Sequence, residues 1–222
     1  MARDKKTLLD SLLDRQGTLF SEELGIDLSR NTPSSLFRWL CASLLLSARI
    51  PHKIAMKAAK ALSDAGWTTA QHMVASGWTD RVAVLKKAGY GRFDESTASM
   101  LGDTAQALQT TYDGDLRNLR EGADRDPTGE RERLMAFKGI GPAGADIFLR
   151  EIQGVWPEHY PFADAKAIAA ATRLGLSDTC EGLSEMVGRK RFPALVAALV
   201  RAELTGVTPD DLCAHSNTAE AS

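Results

Sequence analysis

The stretch MAFKGIGPAGADIFL, residues 135–149, sets three glycines and a proline between two short apolar segments. Inside a helix each glycine would cost about 1 kcal/mol and the proline about 3 kcal/mol. The chain therefore stops, turns sharply and restarts here. Gly139 and Gly141 permit positive φ and the close approach of another backbone. Ile140, between them, can tuck into the core and pin the turn. The restarting helix offers unpaired N–H groups and a partial positive charge, an anion site suited to a phosphate. Lys138 adds a point charge beside it. The same residues equally serve a tight helix–helix corner with no ligand.

A chain of 222 residues holds one large domain or two smaller ones. Its apolar content of 44% and charged content of 25% are ordinary for a globular protein. The net charge is −2, so no global basic field points to nucleic acid. DNA binding would have to come from a local basic face. Charges scattered through MARDKKTLLDSLLDRQG, at the start, do not form a signal peptide. The longest apolar run, LFRWLCASLLLSA, is shorter than the ~18 residues of a membrane span and contains Arg38. Cys41, Cys180 and Cys213 are odd in number and far apart, which supports neither a zinc site nor a disulfide framework. The expected compartment is reducing cytoplasm.

Helix start signals recur. Thr32-Pro33 precedes SSLFRWLCASLLLSA, an apolar run on nearly all faces, which places this helix at the centre of a domain. Pro51 opens the next helix, Thr79 caps DRVAVLKKAG, and Asp94 or Ser96 begins the segment that runs to Tyr112. Asp126-Pro127 leads into the quoted stretch, with REGADRDPTGERER read as a surface connection. Asp164 opens AKAIAAATRLGL, Ser177 opens DTCEGLSEMVG, and RFPALVAALVRAELTG carries Phe192, Leu195, Val196, Leu199 and Val200 on one stripe. About ten helices and no period-2 strand emerge, so the fold class is all-α. The tail HSNTAEAS reads as disordered.

With these segments in order, FKGIGPAGADIFL resembles the helix-hairpin-helix of the base-excision DNA glycosylases, the endonuclease III superfamily. LLLSARI at 44–50 is similar to that family's LLSAQ segment, LKKAGYGRFDESTASML at 85–101 to its next turn and helix, and YDGDLRNLREGADRDPTGERERLMAFKGIG at 112–141 to its path into the hairpin. The family's aspartate, about twenty residues past the hairpin, matches Asp164 in YPFADAKAI. The resemblance runs from about residue 33 to 176. It implies two helical domains with a DNA cleft between them: a six-helix barrel over 33–152 ending in the hairpin, and a second domain from 1–32 and 153–222.

The resemblance also implies the chemistry. Breaking the bond between base and deoxyribose builds positive charge on the sugar, which a nearby carboxylate stabilises while it orients or deprotonates water. Asp164 takes that role, although aspartate is also a preferred helix N-cap worth about 1 kcal/mol. Bifunctional members carry a lysine at the position of Ala143 that attacks the sugar. Alanine cannot, so the chain reads as monofunctional, or as a DNA-binding protein that has lost activity. Ser43 stands near the glutamate position of the adenine-mismatch branch, so that specificity is not supported. Many relatives hold an iron–sulfur cluster on four closely spaced cysteines; none is expected here, and no other cofactor.

The expected partner is double-stranded DNA with a damaged or mismatched base, engaged by a monomer in the cytoplasm at the nucleoid. The base must be flipped from the stack at a cost of a few kcal/mol. Arg49, where the family has glutamine, matches the residue that fills the vacated space, and Tyr90 in GYG looks like the opposite-strand wedge. Each could instead be a solvated arginine and a half-buried tyrosine. The corner's DNA contacts would come from Lys138, Gly139, Ile140, Gly141, Ala143 and Gly144. Lys53, Lys57 and Lys60 share a helical face suited to phosphates, Lys86, Lys87 and Arg92 flank Tyr90, and Arg189, Lys190 and Arg191 form a third cluster. The four histidines are isolated and carry no role, and Trp39 and the other tryptophans read as core.

Overall fold

The computed structural model describes residues 2–91 and 93–213, and all regular structure among them is helical. In chain order the α-helices are α1 Ala2–Gln16, α2 Phe20–Glu23, α3 Pro33–Ser47, α4 His52–Asp64, α5 Ala70–Ala75, α6 Trp78–Lys87 and α7 Asp94–Tyr112. There follow α8 Leu116–Gly122, α9 Pro127–Met135, α10 Pro142–Ile152, α11 Ala165–Arg173, α12 Cys180–Thr205 and α13 Pro209–Cys213. Short 3-10 turns lie at Leu28–Arg30 and Pro157–His159. The basic residue Arg92, the histidine His215 and the tail 215–222 lie outside the described residues. No helix among those described is long and apolar enough to cross a membrane. The chain divides into two compact units, 24–149 and 1–23 with 150–222, and the later boundary falls inside α10.

Local chemistry explains several helix starts. Thr32 Oγ1 accepts the Ser35 N–H at 3.2 Å and Ser35 Oγ accepts the Thr32 N–H at 3.1 Å, a reciprocal cap in front of Pro33. Asp126 accepts the Gly129 N–H at 2.7 Å in front of Pro127. Two expected caps are displaced. Helix α6 begins before Thr79, after Gly77. Thr179 rather than Ser177 caps α12, accepting the Gly182 N–H at 3.1 Å. The stretch read as a surface connection is shorter than expected, because α8 runs into it, held by buried Leu116 and Leu119, and α9 begins within it.

In the unit 24–149, α3 packs against α4, α7 and α8. Leu36, Phe37, Leu40 and Leu45 are fully buried, as a helix apolar on most faces requires. Trp39 is buried too, and its indole N–H donates to the Phe148 carbonyl at 3.1 Å. Arg81 is also buried: Nε donates to the Ala98 carbonyl at 2.9 Å and Nη1 to the Ser76 carbonyl at 2.7 Å and the Met73 carbonyl at 3.2 Å. A guanidinium thus takes up carbonyls left open at the C-terminal end of α5.

In the unit formed by 1–23 and 150–222, α1 and α11 both pack against α12. The stripe of Phe192, Leu195, Val196, Leu199 and Val200 is buried. Helix α12 is broken at Gly188, whose φ of 70° and ψ of 164° are not helical. The two helices read from the sequence thus meet end to end at a glycine.

Glu151 is buried in the same unit and accepts the N–H groups of Phe20 at 2.7 Å and Ser21 at 3.0 Å. These are first-turn amides of α2, which have no partner within a helix. Burial pushes the Glu151 carboxyl above its ordinary 4.5, against the opposing hydrogen bonds from Ser21 and Phe20 and the charge of Arg201. The folded chain therefore holds this proton to a higher pH than the unfolded chain. The group's stabilisation is full below the unfolded value and is lost as pH rises through the folded one. We expect urea-unfolding stability to fall over that interval, and Glu151→Gln to remove this part of the pH dependence. The same slope in both proteins would contradict the assignment.

Candidate nucleic-acid interface

Helix α9 ends at Met135, and the corner begins with buried Phe137. Gly139 has φ of 91°, in the range that disfavours any side chain. A Cβ there would lie 2.8 Å from Met100 Sδ and 3.0 Å from Leu44 Cδ1. This glycine is therefore required twice, by conformation and by space. Ile140 is 2% exposed and its N–H donates to the Phe137 carbonyl at 3.0 Å, so it pins the turn. Gly141 does not share the positive φ, and a Cβ there would meet nothing within 4 Å. Its carbonyl accepts the Ala145 N–H at 3.0 Å, opening α10.

Gly141, Pro142 and Ala143 are exposed, whereas Gly144 is buried. The N–H groups of Ala143 and Gly144 come before the first bond within α10, so helix geometry leaves them without a partner in the helix. With the dipole they make an end that favours an anion. The Lys138 carbonyl accepts the Thr104 hydroxyl at 2.8 Å, which ties the corner to α7. The Lys138 ammonium meets Asp103 at 2.7 Å in a well-exposed pair. Such a pair is worth about 0–1 kcal/mol, so a phosphate can displace it.

Asp164 is the N-cap of α11, its Oδ1 accepting the Ala167 N–H at 3.2 Å. Its Oδ2 accepts from Arg150 Nη2 in an ion pair, and both side chains are only 9% exposed. The cap reading and a buried charge partner therefore coexist at the residue matched to the catalytic position. Both carboxylate oxygens thus have protein partners.

Arg49 is exposed just past α3 and lines a hollow of about 480 Å³ with Pro51, Ile54, Tyr90 and Phe93. Tyr90 is 1% exposed and its hydroxyl donates to the Leu45 carbonyl at 3.3 Å. Burial pushes its hydroxyl pKa up. The expectation that Tyr90 wedges into DNA is thereby corrected: its ring fills the core of this unit, and Phe93, 38% exposed, is the aromatic at the surface of that hollow. Lys53, Lys57 and Lys60 are exposed on α4, with Lys60 paired to Asp64 at 2.8 Å.

No protein-family model and no curated protein matches this chain. A solved structure of endonuclease III trapped with DNA as a covalent intermediate, an estranged-adenine complex, is similar to it. The identity is 16%, the match covers 73% of this chain and 71% of that one, and the TM-score is 0.47.

An iron–sulfur cluster held by four thiolates does not fit these residues, because the chain has three cysteines. Cys41 is buried in α3 with its thiol pushed up by burial, and the Cys180 thiol faces the Ala163 carbonyl at 3.6 Å. Two residues escaped the sequence reading, Arg150 and Glu151. Their only signal was a charged pair in the last turn of a helix otherwise apolar after Asp146. Trp78, read as core, is instead 45% exposed at the start of α6.

Proposed function

We propose that the protein hydrolyses the bond between a damaged or mispaired base and deoxyribose in duplex DNA, without lyase chemistry. The observation that carries this reading is the corner at 138–144, a left-handed Gly139 and a buried Ile140 that hold exposed Gly141, Pro142 and Ala143 at the start of α10. Such an end seats a backbone phosphate, and Lys138 adds charge once it leaves Asp103. Asp164 supplies the negative charge that stabilises the sugar as the base departs. Ala143, at the position of the lyase lysine, leaves water as the nucleophile. Arg49 enters the space of the flipped base.

One observation favours a second reading, a helix-hairpin-helix protein that binds DNA without chemistry. The Asp164 carboxylate is already engaged by Arg150 and the Ala167 N–H. The two separate on duplexes carrying uracil, oxidised pyrimidine, alkylated purine or a mismatch, treated with alkali after incubation. Alkali-dependent strand breaks that vanish in Asp164→Asn are the expected result. Salt-sensitive binding with no product from any lesion would favour the second reading. Failure to bind DNA at low salt would reject both.

A further inference from the structure

A cleft of about 320 Å³ opens between α6 and α7, lined by Val74, Trp78, Arg81, Ser99, Asp103 and Gln106. Its volume is at the small end for a ligand site, with room for one ring system rather than a whole nucleotide. Trp78 forms an exposed wall, and its indole N–H donates to Ser99 Oγ at 3.0 Å. Ser99 Oγ in turn donates to the Glu95 carbonyl at 3.1 Å. The ring is thus held in place with its polar edge satisfied, and its face is the part left for a ligand.

Arg81, 8% exposed, stands at the inner side of the cleft. Nε and Nη1 are occupied by the carbonyls of Ala98, Met73 and Ser76 and by the Ser76 hydroxyl. Among the described residues Nη2 makes no hydrogen bond. It lies on Gly102, where a Cβ would come within 2.6 Å of it. Without a protein acceptor, this guanidinium nitrogen on the cleft wall is left to donate to a ligand carbonyl. Asp103 on the same wall is half-exposed, its Oδ2 paired with Lys138 at 2.7 Å in an exposed contact that a ligand can displace, and it is close enough for its charge to act on Arg81. A donor and an acceptor of opposite charge suit a neutral ligand carrying a carbonyl beside an N–H.

We propose that this cleft binds a guanine-type base: stacked on Trp78, its carbonyl accepting from Arg81 Nη2, its ring N–H and amino group donating to Asp103. An adenine edge presents a donor toward Arg81 and an acceptor toward Asp103, so it is rejected. The inference does not rest on the glycosylase reading, because free nucleoside binding needs neither DNA nor catalysis.

The test is titration of the full chain with guanosine, followed by calorimetry and tryptophan emission. Saturable binding with quenching is expected, at least about tenfold weaker for adenosine and for N1-methylguanosine. Trp78→Ala should weaken guanosine by at least about tenfold, through lost stacking. Asp103→Asn, at an exposed position, should weaken guanosine while leaving the unfolding transition in place. Absence of saturation would overturn the proposal, as would equal affinity for adenosine or binding indifferent to both substitutions.

Discussion

Asp164→Asn is expected to lower the unfolding free energy by about 3–5 kcal/mol, the cost of leaving one member of a buried ion pair alone. Asparagine still caps α11, so the loss falls on Arg150, whose guanidinium keeps its charge with no counterion. Asp164→Ala should cost about 1 kcal/mol more, since the cap goes too. Arg150→Met combined with Asp164→Asn should recover most of the stability, because apolar replacement of a buried pair is often neutral. Urea unfolding of the parent chain, Asp164→Asn, Arg150→Met and the double variant forms a double-mutant cycle that isolates the coupling. A coupling near zero would show that the pair adds nothing. The glycosylase reading further requires base release to vanish in the double variant, whose folding the urea transition checks. If release survives there, Asp164 is a cap and a structural partner only.

Gly139→Ala should be the next most damaging change, at about 2–6 kcal/mol. An alanine at φ of 91° is strained by about 1–3 kcal/mol. Its Cβ, 2.8 Å from Met100 Sδ and 3.0 Å from Leu44 Cδ1, adds an overpacking cost of about 1–3 kcal/mol. Gly141→Ala is the contrast. The added methyl meets nothing within 4 Å and the backbone is not left-handed, so stability should change by about 0.5 kcal/mol or less. DNA affinity should nonetheless fall in Gly141→Ala if a strand comes against that backbone. Urea titration and DNA titration on both variants separate the two glycines. Equal stability losses would mean that the corner's fold, rather than its open face, requires Gly141.

The corner was legible because its causes are local. A proline, a left-handed glycine and an isoleucine between glycines act through backbone geometry within a few residues. The same holds for Thr32 before Pro33 and Asp126 before Pro127, where the side chain satisfies an amide three positions on. Helix α5 was missed because six residues with Ala70 and Met73 buried offer too little periodicity to read. Tyr90 was misjudged because a turn motif does not tell which way its aromatic points. Its core position depends on a carbonyl contributed by Leu45, far away in sequence.

From the sequence by itself came the all-helical class, the break at 138–144, the cap at Asp164 and the buried character of α3. Each follows from dihedral limits, capping bonds and apolar periodicity, which operate over about one helical turn. Only the tertiary structure decided who neutralises Asp164, what caps α2, and that Trp78 and not Tyr90 faces solvent. Those outcomes join residues 14 positions apart in Arg150 and Asp164, and 131 apart in Phe20 and Glu151. A charged side chain takes whichever partner packing brings within reach of its polar atoms, and packing is a property of the whole unit rather than of any neighbouring stretch.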